Sequence, residues 1–417
     1  MSRSSFAAFV AALLRDHGPE AAEVRHELFF LSHKPFPTLR GWVAALRDAR
    51  LLAKGKAGAV IRQAKPLAVL VATLDGASGW QTLARALPTL RQAGLQPVIL
   101  AHPRLPDALF PADIPLMRPL GDGLRAGWRA GLAHGRWDVR AARLRLSMWQ
   151  AAIGRALHGL HGVLILHNDF DMMNTACLSR GWPTVCLQHG IPTDEFFPCR
   201  ADYQVVWSEL CRRAFLKAAV PPERVVVDAL GRGEEGGRGD GAGLAPSGPP
   251  QGIAVVSQQQ AVIFGNRLPF ALTGFVSELL ETGLPVQVLL HPAEKGRSCY
   301  GSAPVSVPPH ARLARGSAPA MVLAYCSTMA LEAAALGHWV VTLDWSFDGN
   351  QLARRVAQPP LKVRTPLEVV RLFHRLGQDD AFRAEWAEQQ RTWLADSFSA
   401  SPGGLGRLLA MIVSSCP

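Results

Sequence analysis

The chain has 417 residues, 48% of them hydrophobic and 18% charged. That is enough for two or three domains of roughly 100–200 residues, and it excludes a disordered chain. Lys and Arg total 44 against 33 Asp and Glu, a net charge of +11, which favours acidic partners such as nucleic acid, anionic lipid headgroups or phosphorylated substrates. The cations are scattered and form no basic arm or aromatic-basic module, which speaks against nucleic acid. The 7 cysteines form no C-x-x-C pair and are odd in number. This argues against a zinc site or a disulfide framework and suits a reducing cytoplasm.

In chain order, Phe6–Leu14 is a short apolar stretch closed by Arg15 and Asp16, without the small-residue cleavage site of a signal peptide. The first sixty or so residues look helical. Leu67–Thr73 is a β-branched apolar run, followed by a turn, a helical pattern over Trp80–Gln92, Gly94 and the strand PVILAHP. Further strands are expected at Val163–Leu166, Thr184–Leu187, Tyr203–Trp207 and Val225–Val227. Gly231–Gly252 is dominated by Gly and Pro and reads as an exposed linker. Beyond it the same grammar returns: Ile253–Val256, a polar stretch, a helix over Leu268–Glu281, Gly283 and VQVLLHP. Strands follow at Met321–Ala324 and Trp339–Leu343, then helices from Pro366 to Val413 with one break near Ser399–Gly404. Ala318–Leu343 is apolar but interrupted by Glu332, Gly337 and His338, so it is not a transmembrane span.

Near-continuous apolar strands alternating with amphipathic helices mean parallel sheets buried on both faces. Two such units predict two facing doubly wound domains: 1–230 on the acceptor side, 231–252 as linker, and 253–417 with the terminal helices. In open α/β sheets ligands bind beyond the carboxyl ends of the strands, and four polar groups fall there. His167-Asn168-Asp169-Phe170-Asp171 offers a general base or a helix cap. Gln188-His189-Gly190 offers a base or phosphate donor, or merely a turn. His291-Pro292 with Lys295 either meets a phosphate or is a solvated turn. Ser327-Thr328 caps a helix whose start also suits an anion, and Glu332 is placed to accept from ribose hydroxyls.

With those residues in place, the chain resembles the bacterial surface-polysaccharide glycosyltransferases of GT-B architecture. These are the capsule and lipopolysaccharide enzymes using CMP-activated sialic acid or Kdo, related to teichoic-acid polymerases. The resemblance runs from about Val163 to Leu343. It rests on LQHG, RADYQVVWSE, VPPERVVV, LLHPAEKG and YCSTMALEAAALGHWVVTLD. It implies that His291 and Pro292 face the nucleotide phosphate and that Ser327 and Thr328 bind it. The acidic-Gly base motif of the sialyltransferases is missing.

The expectation is an inverting transfer from a nucleotide sugar, CMP-sugar favoured, to a polysaccharide or lipopolysaccharide acceptor. Asp169 or His189 would be the base, and Gln188, Gly190 and Glu195 would face the acceptor. Helix-end amides can stabilise the leaving phosphate, so no metal or other cofactor is expected, although Asp169 and Asp171 have the Asp-x-Asp spacing. The rival readings are a nucleotide-sugar 2-epimerase and a non-catalytic scaffold or sugar-binding subunit. The expected location is cytoplasmic, with peripheral attraction to an anionic membrane. Limited proteolysis should cut first within 231–252, because that composition buries little surface; first cuts within 253–343 would contradict the division.

Overall fold

The structure is a computed structural model. It describes residues 6–54, 59, 61–74, 76–121, 136–231, 246–258, 265, 267–291, 294, 299–307, 313, 316–347, 358–398 and 403–415. Helices α1 (Phe6–His17), α2 (Pro19–Ala22), α3 (Arg25–Ser32) and α4 (Pro37–Lys54) precede the first sheet. Small residues set how α4 packs. Gly41, Ala45 and Ala49 lie on its buried side, and a Cβ at Gly41 would sit 3.3 Å from Ala141 of α7 (Trp137–Ala156). At that close approach the buried Arg145 of α7 donates to Asp48 of α4 (2.9 Å) and pairs with Glu27. Trp149 Nε1 donates to the same Asp48 oxygen (3.0 Å). Each buried charge therefore has its counter-charge, without which it would cost several kcal/mol.

The first sheet contains β1 (Leu67–Ala72), β2 (Gln96–Ala101), β3 (Leu116–Met117), β4 (Gly162–Leu166), β5 (Thr184–Leu187), β6 (Tyr203–Val206) and β7 (Val225–Val227). Their order is β3-β2-β1-β4-β5-β6-β7, and every pairing is parallel. The second sheet contains β8 (Ile253–Val256), β9 (Val286–Leu289), β10 (Val305–Ser306), β11 (Met321–Ala324), β12 (Trp339–Leu343) and β13 (Leu361–Val363). Its order is β10-β9-β8-β11-β12-β13, again parallel throughout. The central strands β1, β8 and β11 are buried along their whole length, as helices on both faces require. Helices α5 (Gly76–Arg85), α6 (Leu87–Gln92), α8 (Met172–Leu178) and α9 (Glu209–Lys217) go with the first sheet. Helices α10 (Arg267–Glu281), α11 (Thr328–Ala335), α12 (Pro366–Gln378) and α13 (Asp380–Ser397) go with the second. In each sheet the strand order reverses beside the first strand, between β1 and β4 and between β8 and β11. That is the switch point where such sheets open a ligand crevice.

Several elements differ from the sequence reading. The helix expected over Trp80–Gln92 is two helices, because Pro88 in the first turn of α6 has no N–H to continue the preceding ladder. The C-terminal helical region has a second break at Asp379, whose carboxylate caps α13 by accepting from Phe382 N (2.9 Å). Within the Gly/Pro-rich segment, residues 246–252 are packed. Trp339 Nε1 donates to Gly248 O (2.9 Å) and Gln251 N to Pro319 O (2.8 Å). Residues 232–245 lie outside the described residues.

The last helix, α14 (Gly404–Ser415), leaves the second sheet and returns to the first. Its Leu405, Leu408, Leu409 and Ile412 join the core formed by α5, α6 and the β1–β4 face. Leu405 N donates to the buried carboxylate of Asp228, just past β7 (2.8 Å). Gly404 permits this approach, since a Cβ there would lie 2.2 Å from Val227 O. Gly404→Ala should therefore cost about 1–3 kcal/mol in denaturant unfolding. Gly406→Ala, whose Cβ would be 3.6 Å from Thr89 Cγ2, should be tolerated. Equal stabilities for the two variants would disprove the docking argument.

Two buried histidines give the fold a pH dependence. Burial pushes His26 down to about 3 and His102 down to about 4. Both are neutral when folded, whereas the unfolded chain protonates them below about pH 6.5. Their contribution to stability is complete above that pH and is lost as pH falls through 6.5 toward 4. The melting temperature should fall between pH 7 and 5, and His102→Gln should flatten that fall; an unchanged slope would refute the role.

Candidate functional site

The crevice side of the second sheet is built from the residues that follow its strands. Past β8, the buried Gln258 accepts from Tyr325 N and Cys326 N through Oε1 (3.0 Å each) and donates to Cys326 O. This clamps the turn between β11 and α11. Ser327 follows in extended conformation, and its hydroxyl accepts from Met329 N (3.2 Å), the N-cap expected from the sequence. The start of α11 therefore points its positive end into the crevice. Past β9, His291 is exposed, and its carbonyl accepts from Glu294 N (2.9 Å). Both carboxylate oxygens of Glu294 accept from Ser257 Oγ (2.8 Å), which also bonds Tyr300 Oη (2.7 Å). His291 and Ser327 thus follow the two strands, β9 and β11, that flank β8. Glu332 is half-buried one turn into α11. Pro292 and Lys295 lie outside the described residues.

On the first sheet, the β5 turn is fixed by Gln188. Its Oε1 accepts from Trp207 N (3.0 Å), its Nε2 donates to Gly190 O (2.9 Å), and its carbonyl accepts from Trp207 Nε1 (2.7 Å). Gln188 is buried and spends its amide inside the protein. His189 is turned the other way. Its Nδ1 donates to His167 O (2.6 Å) and its ring stacks on Phe196 at 5.3 Å. A carbonyl only accepts, so the proton sits on Nδ1 and Nε2 is the basic atom.

Asp169 and Asp171 do not share a ligand. Asp169 is buried, and its Oδ2 accepts from Arg200 N (2.5 Å), Ala201 N (3.1 Å) and Gln204 Nε2 (3.4 Å). Burial pushes the neighbouring Arg25 guanidinium down to about 10, with Asp169 opposing the shift. Asp171 caps α8, accepting from Asn174 N (2.8 Å) and from Asn168 Nδ2 (3.0 Å). Glu195 is buried in the turn Asp194–Phe196, where its carbonyl accepts from His26 Nε2. Asp169 and Glu195 thus anchor loops. Beside them, a cavity of about 350 Å³ opens at the carboxyl ends of β1, β2 and β4, lined by Thr73, His102, Phe170 and Met172 among others.

The structure brings two of the sequence motifs together across the sheets. Ile191 N, directly after the Gln188-His189-Gly190 turn, donates to Thr328 Oγ1 (3.3 Å), and a Cβ on Gly190 would lie 3.5 Å from that oxygen. The β5 turn of the first sheet therefore abuts the helix start of the second. Sequence reasoning passed over Ser257, Gln258 and Glu294. The available signal was a polar run, Ser-Gln-Gln-Gln, directly after an apolar strand.

No family model matches the chain, and no curated protein matches it. Solved structures do. The glycotransferase of kitacinnamycin is 14% identical over 85% of this chain and 100% of its own, with a TM-score of 0.51. The Methanocaldococcus jannaschii UDP-GlcNAc 2-epimerase, solved with UDP-GlcNAc and UDP, is 11% identical over 84% of this chain and 100% of its own, also at 0.51. The wall teichoic acid polymerase TagF is 10% identical over 91% and 98%, at 0.46. At these identities the likeness is one of fold: two Rossmann-like parallel-sheet domains in the GT-B arrangement.

Proposed function

We propose that this chain is a glycosyltransferase that moves a sugar from a nucleotide-activated donor to a glycan acceptor, with inversion. The observation that carries the reading is the meeting of the β5 turn and the α11 start, joined from Ile191 to Thr328. That contact supports reading His189, two residues before Ile191, as a base close to a helix start suited to an anion. In the transfer, an acceptor hydroxyl oxygen bonds to the anomeric carbon while the bond from that carbon to the phosphate oxygen breaks. The hydroxyl proton passes to His189 Nε2, and the electron pair leaves on the phosphate. Asp169 is the weaker base candidate, since one carboxylate oxygen already holds three donors.

The donor phosphate is assigned to the space between Ser327-Thr328 and His291, with Pro292 and Lys295 carried over from the motif resemblance and Glu332 toward the ribose. Thr328 Oγ1 accepts from Ile191 and keeps its own hydrogen to donate. A CMP-sugar is favoured from the motif resemblance, and the acceptor is assigned to the cavity past β1, β2 and β4. A 2-epimerase is the second reading, supported by the M. jannaschii structure, which matches at the same TM-score as the glycotransferase. Release of epimer or free sugar without an acceptor would establish it. A protein that binds no nucleotide at all would instead be a scaffold or sugar-binding subunit.

A panel of CMP, CDP, UDP and GDP derivatives should raise the melting temperature selectively, a nucleotide at a hundred times its Kd adding about 2.7 kcal/mol. His291→Ala should weaken nucleotide binding about tenfold or more by calorimetry, the loss of one donor to a charged group. The fold should be unaffected because His291 is exposed; unchanged affinity would overturn the phosphate assignment. His189→Ala should lower kcat by about 10²–10⁴ while leaving donor affinity near that of the parent. Retained turnover would remove His189 as the base.

A further inference from the structure

We infer that the exposed face of α4 is a docking surface for an anionic lipid bilayer. The inference stands apart from the transfer chemistry. The helix is amphipathic twice over. Its buried side, Gly41, Ala45, Asp48, Ala49 and Leu52, packs against α7. On the opposite side, at helical spacing, Leu39, Val43 and Leu46 are 63%, 56% and 56% exposed. Phe36, at the foot of the helix with φ 55, is 74% exposed. An apolar row of this kind on a soluble surface needs a partner.

The charges beside the row say which partner. Arg40, Arg47, Arg50 and Lys54 border it, and the only acid of α4, Asp48, is buried against Arg145. Long basic side chains can lay their stems on apolar surface and raise their charges to phosphate level. On the other flank Trp137 is 60% exposed, its ring 6.0 Å from that of Trp42; an amphipathic indole suits a headgroup interface. A second copy fits poorly, because a two-fold interface would set Arg47, Arg50 and Lys54 against their own equivalents. The helix is held by close packing and a buried ion pair, so the face is presented without refolding. Among the described residues no helix is long and apolar enough to cross a membrane, so attachment here is from the surface.

A groove of about 1610 Å³ runs between α4 and the 103–118 segment. Arg47 and Arg104 line both this groove and the cavity past β1, β2 and β4. The proposed docking face and that cavity therefore share two basic side chains.

The test is sedimentation of the full chain with phosphatidylcholine vesicles, with and without phosphatidylglycerol. The parent should bind only the anionic vesicles and should release as salt rises. Arg47→Ala with Arg50→Ala and Lys54→Ala should weaken binding about fivefold per cation. Val43→Glu with Leu46→Glu should weaken it at least about tenfold, since apolar burial and charge both contribute. Melting temperatures of the Val43/Leu46 variant and of Arg50→Ala with Lys54→Ala should stay at the parent value, whereas Arg47 also lies 3.7 Å from the buried Asp48, so its removal is read against the melting temperature. Equal binding to neutral and anionic vesicles would overturn the proposal, as would no binding by the parent or parent-like binding by both variants. Loss of a dimer in the Val43/Leu46 variant with vesicle binding unchanged would assign the face to a second copy instead.

Discussion

The hydrogen bond from Ile191 N to Thr328 Oγ1 joins the two halves where the turn after β5 meets the start of α11. Its position follows from a constraint on parallel sheets: all carboxyl ends lie on one edge, and each following helix begins there with its amides unpaired. Two such sheets set edge to edge direct helix starts and strand-end turns into a single crevice. The result sets the turn after β5 against the start of α11.

Both crevice walls use the same device to keep their turns fixed. In each sheet a buried glutamine follows a strand and bonds the backbone at the end of another strand. Gln188 holds Trp207 past β6, and Gln258 holds Tyr325 and Cys326 past β11. A buried amide left unpaired would cost about 1–3 kcal/mol, so these side chains are structural in the strict sense. They also set the conformation of the neighbouring residue. With Gln188 turned inward, His189 is turned outward, and with Gln258 clamping residues 325 and 326, Ser327 is left to cap α11.

How much of this was legible in the sequence follows from what each element depends on. The long central strands and the glycines that stop their helices were readable, because burial on both faces leaves an apolar run and a left-handed stop requires Gly; Gly94 and Gly283 both have φ 75. The edge strands β3, β10 and β13, of two or three residues each, carry too few side chains to show a period, whereas β7, an edge strand of three residues, was readable as the unbroken run Val225–Val227. The Ser327 cap was readable because capping is local. The work of Gln258, Asp169 and Gln188 was not, because each bonds a loop set by tertiary packing. Asp169 and Asp171 have the spacing of a metal pair, and only the fold shows each engaged with a different loop.

The opposite end of the inter-domain contact is organised differently. Asp228 stands where the chain leaves the first sheet, and Leu405 stands where it comes back; the carboxylate of Asp228 accepts from both Leu230 N and Leu405 N. One buried carboxylate thus ties together the outgoing and returning passages. Around it the contacts are apolar: Trp207 lies against Phe398 at 5.7 Å, and α9 packs on α13. Toward the crevice, the Ile191–Thr328 hydrogen bond is neutral and of the kind worth about 0.5–1.5 kcal/mol. The two halves are thus joined by two different contacts, a neutral hydrogen bond between the β5 turn and α11, and apolar packing of α9 on α13 where the chain crosses.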